Sequence, residues 1–369
     1  MEKTYNQEGI VKMILINNFF IFIIFFYLFI LAKILKEKKY DIFLLVFFLL
    51  LITTVYGFRF TSESHDFMNY YHMTQRSILY SESMLMDGDK FFNRLIAKSI
   101  MEITHDAQYY FVFTSFVTTG LLLYFCFQYF SDKVFFLLCY FTMIPSIQNN
   151  IVRQFLGMAV LLVSLSFFLK GKKILSSLLF CGSVLIHSSS LFFAPLFILS
   201  NVKVKKNVII MYAVIVLILI VFHNPIISFF QMFLFSDYVG DSYGLNPSNP
   251  VHLLKILFPL VALFFIKRNN CAFTVLQNNE KLLNVVEHGT IFYAICIIMS
   301  TSFILLFSRI ALFFFPLAIL CIDSVAKKDP SKGLYLKIGM CSILIALFFA
   351  TDDTPSFILW EKIPPFSWM

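Results

Sequence analysis

The stretch NNIVRQFLGMAVLLVSLSFFLKGKK, residues 149–173, has the composition of a membrane-spanning helix. Every residue from Gln154 to Leu169 is uncharged and most are apolar, with lysines at one end and the single arginine Arg153 at the other. A helix needs about 20 mostly apolar residues to cross a bilayer, and about 17 can suffice. The lysines are typical of the cytoplasmic end of such a helix. The role of an arginine at the opposite end is the first question that the sequence raises.

The whole chain shares the apolar composition of this stretch. Of its 369 residues, 59% are hydrophobic, 14% are charged and 49 are phenylalanine. Such a chain has too little polar surface to cover a water-soluble globule. We therefore expect an all-α, polytopic integral membrane protein that forms a single transmembrane domain over residues 1–369. Six of the seven cysteines lie within apolar runs, and no disulfide or Cys-x-x-Cys metal site is indicated.

Long apolar runs predict the positions of the membrane helices. They lie near residues 13–32, 42–58, 109–130, 134–148, 151–169, 207–222, 252–266, 289–307, 310–325 and 334–350. The first run is too long for a signal-peptide core and has no small-residue cleavage site after it, so we expect it to stay as an anchor.

A further apolar stretch, residues 174–200, has lysines on both sides, so both of its ends are expected on the cytoplasmic side. Each half is too short to span the membrane. The pattern therefore predicts a broken, re-entrant pair of helices with its turn near IHSSS, residues 186–190. Such irregular backbone is tolerated at membrane depth where it is buried in protein or lines a wet cavity. Counting this pair, we expect about 10–12 transmembrane helices.

The lysine-rich loops also predict the orientation of the chain. Placing them inside assigns 18 of the 29 lysines and arginines to the cytoplasm and both termini to the outside. Two long segments, 59–108 and 223–251, then become extracytoplasmic loops. Function is expected on that outer face, since the inner loops are mostly short and rich in lysine.

The arginines are distributed differently from the lysines. Five of the six fall outside, and Arg59, Arg153 and Arg309 each lie at the outer end of a predicted helix. A guanidinium group has a rigid fork of donors that suits phosphate and carboxylate, and it stays charged when partly desolvated. Three arginines at one membrane level would bind an anionic group. The alternative is that each extends separately to the lipid headgroups.

Other polar residues accompany the arginines at membrane depth, where such residues are a functional hypothesis by default. Asn150, Arg153 and Gly157 share one helix face, so the smallest side chain lies one turn below the guanidinium. This arrangement leaves room for a ligand or for a closely packed helix.

Two residues are candidates for a general base. His187 lies within the broken stretch, and an imidazole can accept a proton near neutral pH. Alternatively, His187 bonds the freed backbone at the turn. In the first outer segment, Asp66 and Tyr70 follow Arg59 within three helical turns. Aromatic faces beside carboxylates are typical of carbohydrate binding.

Five motifs together resemble a known family. They are YGFRF (56–60) with SHDFMNYY (64–71), IQNNIVRQFLGMAV (147–160), LIHSSSLFFAPLF (185–197), SRIALFFFPLAIL (308–320) and FILWEKIPPFSW (357–368). This ordered set resembles the EpsG-like family of bacterial polysaccharide polymerases, the Wzy-type enzymes of O-antigen and capsule assembly. The resemblance covers nearly the whole chain. It implies a helical fold similar to the GT-C lipid-dependent glycosyltransferases, in the bacterial inner membrane with the site facing the periplasm.

The resemblance also implies a reaction and its residues. A glycan chain on undecaprenyl diphosphate would be transferred to a hydroxyl of another lipid-linked oligosaccharide repeat unit. The residues implied in substrate binding are Arg59, Asn150, Arg153, Gln154, Arg309 and Tyr70. The general base would be His187 or Asp66, of which we prefer His187. No cofactor or metal ion is expected, since arginines can stabilise the charge on the leaving diphosphate.

The expected partners are the undecaprenyl-diphosphate-linked oligosaccharide, the lipid bilayer and a chain-length regulator protein, with no nucleic acid. Two other function classes compete with a polymerase. A flippase for the same lipid-linked glycan usually lacks long outer loops. A membrane acyltransferase would need polar residues along a path from the cytoplasm for its donor, and the sequence offers few.

Overall fold

The computed structural model describes residues 38–57, 65–81, 91–148, 152–222, 250–268, 279–302 and 306–350. Within these ranges the regular structure is helical, without strands. The α-helices are α1 Lys38–Gly57, α2 His65–Arg76, α3 Phe91–Thr104, α4 Gln108–Tyr129, α5 Lys133–Gln148, α6 Val152–Leu169, α7 Lys173–Ile186, α8 Ala194–Leu199, α9 Lys206–Val221, α10 Leu254–Arg268, α11 Glu280–Ser302, α12 Leu306–Lys328 and α13 Pro330–Ala350.

In these parts of the chain, five helices are long and apolar enough to cross a membrane, namely α4, α6, α11, α12 and α13. Shorter apolar segments lie in α1, α7 and α9. The expectation of an all-α, polytopic membrane protein is confirmed. The predicted helix at 13–32 lies outside the described residues. The other predicted helices are present, and most of their ends lie within a few residues of the predicted ones.

Helix α12 lies at the centre of the bundle. It is buried along almost its whole length and packs against α11 and α13. Around it, α1 pairs with α4, α4 with α6, and α6 with α7. Lipid tails are as apolar as leucine, so such contacts are held by van der Waals packing. Aromatic rings supply much of it, as where the rings of Phe193 and Phe314 stack with their centroids 5.5 Å apart.

Lysines gather at one end of the bundle. Lys337 of α13 contacts Asp132, in the loop before α5, at 3.0 Å and Asp323 of α12 at 2.6 Å. At the same end, Lys281 lies over the ring of Phe168 in the last turn of α6. These contacts join loops that the charge pattern placed together on one side.

A glycine in the left-handed region closes the hairpin between α6 and α7. Gly171 has φ of +78°, which residues with a Cβ rarely adopt. Its N–H bonds to the Phe168 carbonyl at 2.9 Å, and the Lys172 N–H bonds to the Phe167 carbonyl at 2.9 Å. This is a Schellman motif, which satisfies the last carbonyls of α6. The KGKK sequence therefore ends α6 and turns the chain back.

The predicted break in the stretch 174–200 is present at His187. Its backbone is extended, with φ of −153° and ψ of 116°, and the 3₁₀ turn Ser188–Phe193 then leads into α8. In α8 the ring centroid of Phe197 lies 5.2 Å from that of Phe168, at the lysine end of α6. The chain after His187 thus returns to the end from which α7 started, as a re-entrant pair requires.

Side chains of α10 and α11 hold the returning limb, which is the chain from residue 188 to residue 204. They donate hydrogen bonds to main-chain carbonyls of residues 200–204, from Asn284 Nδ2 to Ser200 (2.9 Å), His288 Nε2 to Val202 (2.8 Å) and Lys267 Nζ to Val204 (2.8 Å). Helix α11 begins at Glu280, earlier than the predicted start at 289. The polar residues that suggested a loop there are buried, because they bond to the limb and to Lys267.

Candidate functional site

A polar cluster lies at the end of the bundle opposite to the lysines. Arg153 is in the first turn of α6, and Arg309 is near the start of α12. The charges of both guanidinium groups act on the imidazole of His187, at the break in the re-entrant pair. Two cations and one imidazole, from three separate segments, therefore converge at one level of the bundle.

Helix α2 places Tyr70 over Arg153. The Nε of Arg153 donates a hydrogen bond to the Tyr70 hydroxyl at 3.1 Å, and its Cζ lies 5.9 Å from the centroid of the tyrosine ring. A cation held by both the hydroxyl and the aromatic face has a restricted orientation. The outer segment is thereby joined to the membrane bundle at the arginine.

Tyr70 is itself supported by two buried residues. Its ring stacks on that of Tyr110 of α4, with centroids 6.3 Å apart. Tyr110 is fully buried, and its hydroxyl donates a hydrogen bond to Oδ1 of Asn93 in α3. The Nδ2 of Asn93 in turn lies 3.8 Å from the sulfur of Met73 in α2. The outer helices α2 and α3 thus form, with α4, a support that sets the position of Tyr70 and through it Arg153.

Gln154 joins the two helices that carry the arginines. Its side-chain amide donates a hydrogen bond to the main-chain carbonyl of Arg309, and the residue is only 2% exposed. Because Gln154 follows Arg153 directly in α6, this bond fixes the start of α6 against the start of α12.

Gly157 allows the His187 turn to approach α6 closely. A Cβ at Gly157 would lie 3.2 Å from Oγ of Ser190 and 3.3 Å from Cβ of His187. The hydroxyl of Ser183, in α7, also donates to the Gly157 carbonyl at 2.8 Å. Of the two interpretations that the sequence left open, a ligand or a closely packed helix below Arg153, the contacts at this glycine are those of close packing.

The imidazole of His187 caps the turn that follows it. Its Nδ1 accepts a hydrogen bond from the main-chain N–H of Ser189 at 3.2 Å. His187 lies between two short helices, outside those long enough to span a membrane. Burial, and then the charges of Arg153 and Arg309, lower the pKa of His187 to about 3. The imidazole is therefore neutral at neutral pH.

All residues of this cluster lie within a match to one protein family. The model of the EpsG family matches residues 42–360. The chain belongs to the EpsG family. It is accordingly a polysaccharide polymerase of glycosyltransferase type in the general sense of that family. No curated protein and no solved structure matches the chain.

The structure brings together some of the site residues predicted for this EpsG-family chain. Arg153, Gln154, Arg309, Tyr70 and His187 form one connected group.

The structure does not test the other predicted site residues. Arg59 and Asn150 lie outside the described residues, so their roles stay predictions. Asp66 is in α2, one helical turn before Tyr70, and positions four apart share a helix face. Of the two predicted outer loops, 59–108 contains α2 and α3, whereas 223–249 is not described.

Two residues that support the cluster, Asn93 and Tyr110, were not predicted from the sequence. A local signal for Asn93 exists, because Asn93, Ala97 and Met101 recur at the spacing of one helix face and are all buried. A search for long apolar runs misses α3, because this helix is short and mixes polar with apolar residues. Tyr110 gave no signal, since one tyrosine among the apolar residues of α4 resembles any core residue.

Proposed function

We propose that this EpsG-family protein is an O-antigen or capsule polymerase that transfers a glycan chain from undecaprenyl diphosphate to a hydroxyl of another lipid-linked repeat unit. The observation that carries the proposal is the convergence of Arg153 and Arg309 beside His187. A diphosphate presents several anionic oxygens, and guanidinium groups bind such oxygens in pairs. Two guanidinium groups on different helices suit a leaving group of this kind.

In the proposed reaction, the oxygen of the acceptor hydroxyl bonds to the anomeric carbon of the donor glycan. The bond from that carbon to the diphosphate breaks, and the lipid diphosphate leaves with the electron pair. Negative charge therefore grows on the diphosphate, and Arg153 and Arg309 bind it more strongly in the transition state than in the ground state. We place Arg59 beside them. Since arginines supply the positive charge, we expect chain growth to continue in the presence of a metal chelator.

The proton of the acceptor hydroxyl requires a base, and Asp66 and His187 are the candidates. Asn150 is proposed to contact the substrate at the outer start of the α6 segment, and Tyr70 to contact the glycan beside Arg153. The lysine end is placed in the cytoplasm, which turns the site to the periplasm of a bacterial inner membrane. The helical fold is proposed to be of the GT-C type, and a chain-length regulator is a proposed partner.

Deletion of the gene and complementation with variants tests this function. The deletion strain should carry surface glycan of single repeats, and the wild-type gene should restore the full ladder of glycan lengths on a gel. Arg153→Lys keeps the charge and loses the planar fork, so at matched protein level it should give one or very few repeats. Losing one such preorganised donor typically slows a reaction on the order of 10²-fold or more.

Arg76→Lys is the matched control, because Arg76 is exposed in the last turn of α2. It should restore the full ladder. A full ladder from Arg153→Lys would mean that Arg153 only anchors the helix at the headgroups. Complete loss of surface glycan in the deletion strain would indicate a flippase.

A further inference from the structure

The hydrogen bond at His187 determines which ring nitrogen carries a proton. The main-chain N–H of Ser189 is a donor only, and it points to Nδ1 of His187 at 3.2 Å. Nδ1 must therefore offer its lone pair. In a neutral imidazole with a free lone pair on Nδ1, the hydrogen is on Nε2.

The surroundings of the ring disfavour a second proton. Protonating Nδ1 would break its bond to Ser189 and add a positive charge close to those of Arg153 and Arg309. The ring therefore stays neutral, with Nε2–H on its far side from the turn. Nε2 makes no hydrogen bond to the part of the chain that the structure describes. In this state the Nε2–H of His187 can donate a hydrogen bond, whereas the lone pair of Nδ1 already accepts one.

From this geometry we propose that His187 donates a hydrogen bond from Nε2–H to the diphosphate as it leaves, and that His187 is not the base for the acceptor hydroxyl. The inference rests on the proposed polymerase function and assigns a role within its site. The donor joins the two guanidinium groups around the same oxygens, where charge develops. No proton moves from His187 during this step.

The base is then Asp66, the remaining candidate. As the acceptor oxygen bonds to the anomeric carbon, its proton passes to the carboxylate of Asp66, and the diphosphate departs with the electron pair of the broken bond. The α2 helix that carries Asp66 also carries Tyr70, which contacts Arg153. One helix would thus hold the base and steady the leaving-group site.

Variants at position 187 distinguish a donor from a base. His187→Gln keeps an N–H at about the reach of Nε2 but cannot act as a base. It should retain glycan ladders with chain growth within about tenfold of wild type, whereas His187→Ala should lose on the order of 10²-fold or more. Asp66→Asn should leave single repeats. His72→Gln is the control, because His72 is an exposed histidine of α2, and it should give the full ladder. Ladders from His187→Gln as short as those from His187→Ala would overturn the inference.

A second measurement reads the tautomer directly and does not depend on whether glutamine fits the turn. In the purified protein labelled with ¹⁵N-histidine, the signals missing from His187→Gln belong to His187. We expect an unprotonated Nδ1 and a protonated Nε2. A proton on Nδ1 would refute the donor role. Failure of the proposed function looks different, because the deletion strain itself would then keep a full ladder or lose all of its surface glycan.

Discussion

The side-chain amide of Gln154 donates a hydrogen bond to the main-chain carbonyl of Arg309. Gln154 follows Arg153 directly in the chain, so this bond holds the backbone of Arg309 beside that of Arg153. The two guanidinium groups therefore do not depend only on helix packing for their spacing. A diphosphate bound between them would meet donors carried on helix starts that are already held together, and such preorganisation lowers the cost of reaching the transition state.

Gln154→Leu should accordingly shorten the glycan ladder by slowing chain growth about tenfold. Leucine fills most of the same space, but it removes the hydrogen bond to the Arg309 carbonyl, which typically contributes about 0.5–1.5 kcal/mol. The measurement is ladder length at equal protein abundance. Gln128→Leu provides the control, since Oε1 of Gln128 is buried without a hydrogen-bond partner in the described part of the chain. Equal ladders from the two variants would show that the bond to Arg309 does not matter.

Tyr110→Phe removes the hydroxyl that bonds to Asn93 and keeps the ring beneath Tyr70. We expect chain growth to slow by about tenfold to 10²-fold, because small displacements of a positioned group are costly. If the effect passes through Arg153, adding Tyr110→Phe to Arg153→Lys should cause little further loss. Tyr293→Phe is the control, a buried tyrosine whose hydroxyl has no partner within the described ranges. Additive losses in the double variant would argue for general destabilisation.

Gly157→Ala should impair polymerisation by pushing the His187 turn away from α6. The added methyl would meet Ser190 and His187 at 3.2 and 3.3 Å, and overpacking of this kind typically costs 1–3 kcal/mol. Gly182→Ala in α7 makes the same chemical change where nothing lies within 4 Å of the new methyl. Gly182→Ala should give a ladder of wild-type length, and Gly157→Ala should give a shorter one. A normal ladder from Gly157→Ala would mean that the turn tolerates displacement.

Reporter fusions test the orientation of the site. A phosphatase that is active only in the periplasm should be active when fused after Gly88, in the first outer segment. It should be inactive after Gly171, in the lysine-rich hairpin between α6 and α7. The reverse pattern would place the arginines on the cytoplasmic side, where a periplasmic polymerase could not use them.

The helices of the bundle were predictable because each is encoded locally. An apolar run of membrane length predicts α4, α6 and α12 without knowledge of their neighbours. The re-entrant break was predictable for a similar reason, since lysines flank a stretch too short to cross twice. The amphipathic helices α2 and α3 were not predicted, because their apolar residues alternate with polar ones and form no long run.

The contacts that make the site were not predictable from local pattern. Gln154 and Arg309 are 155 positions apart, and Tyr70 and Arg153 are 83 apart. Nothing in the spacing of either residue identifies its partner. The same is true of the start of α11, where Glu287 and His288 have the composition of a loop but are buried by partners distant in sequence.

The hydrogen bonds from α11 to the returning limb can form only late in synthesis of the chain. Ser200 and Val202 leave the ribosome 84 and 86 residues before Asn284 and His288, which bond to their carbonyls. Until then these carbonyls have no such partners, and water at the lysine-rich end of the bundle is their alternative. The nascent limb is therefore expected to wait near water until α11 is synthesised. Arg309 follows α11 in the chain, so a chain that ends before it would be inserted in the membrane without a complete site.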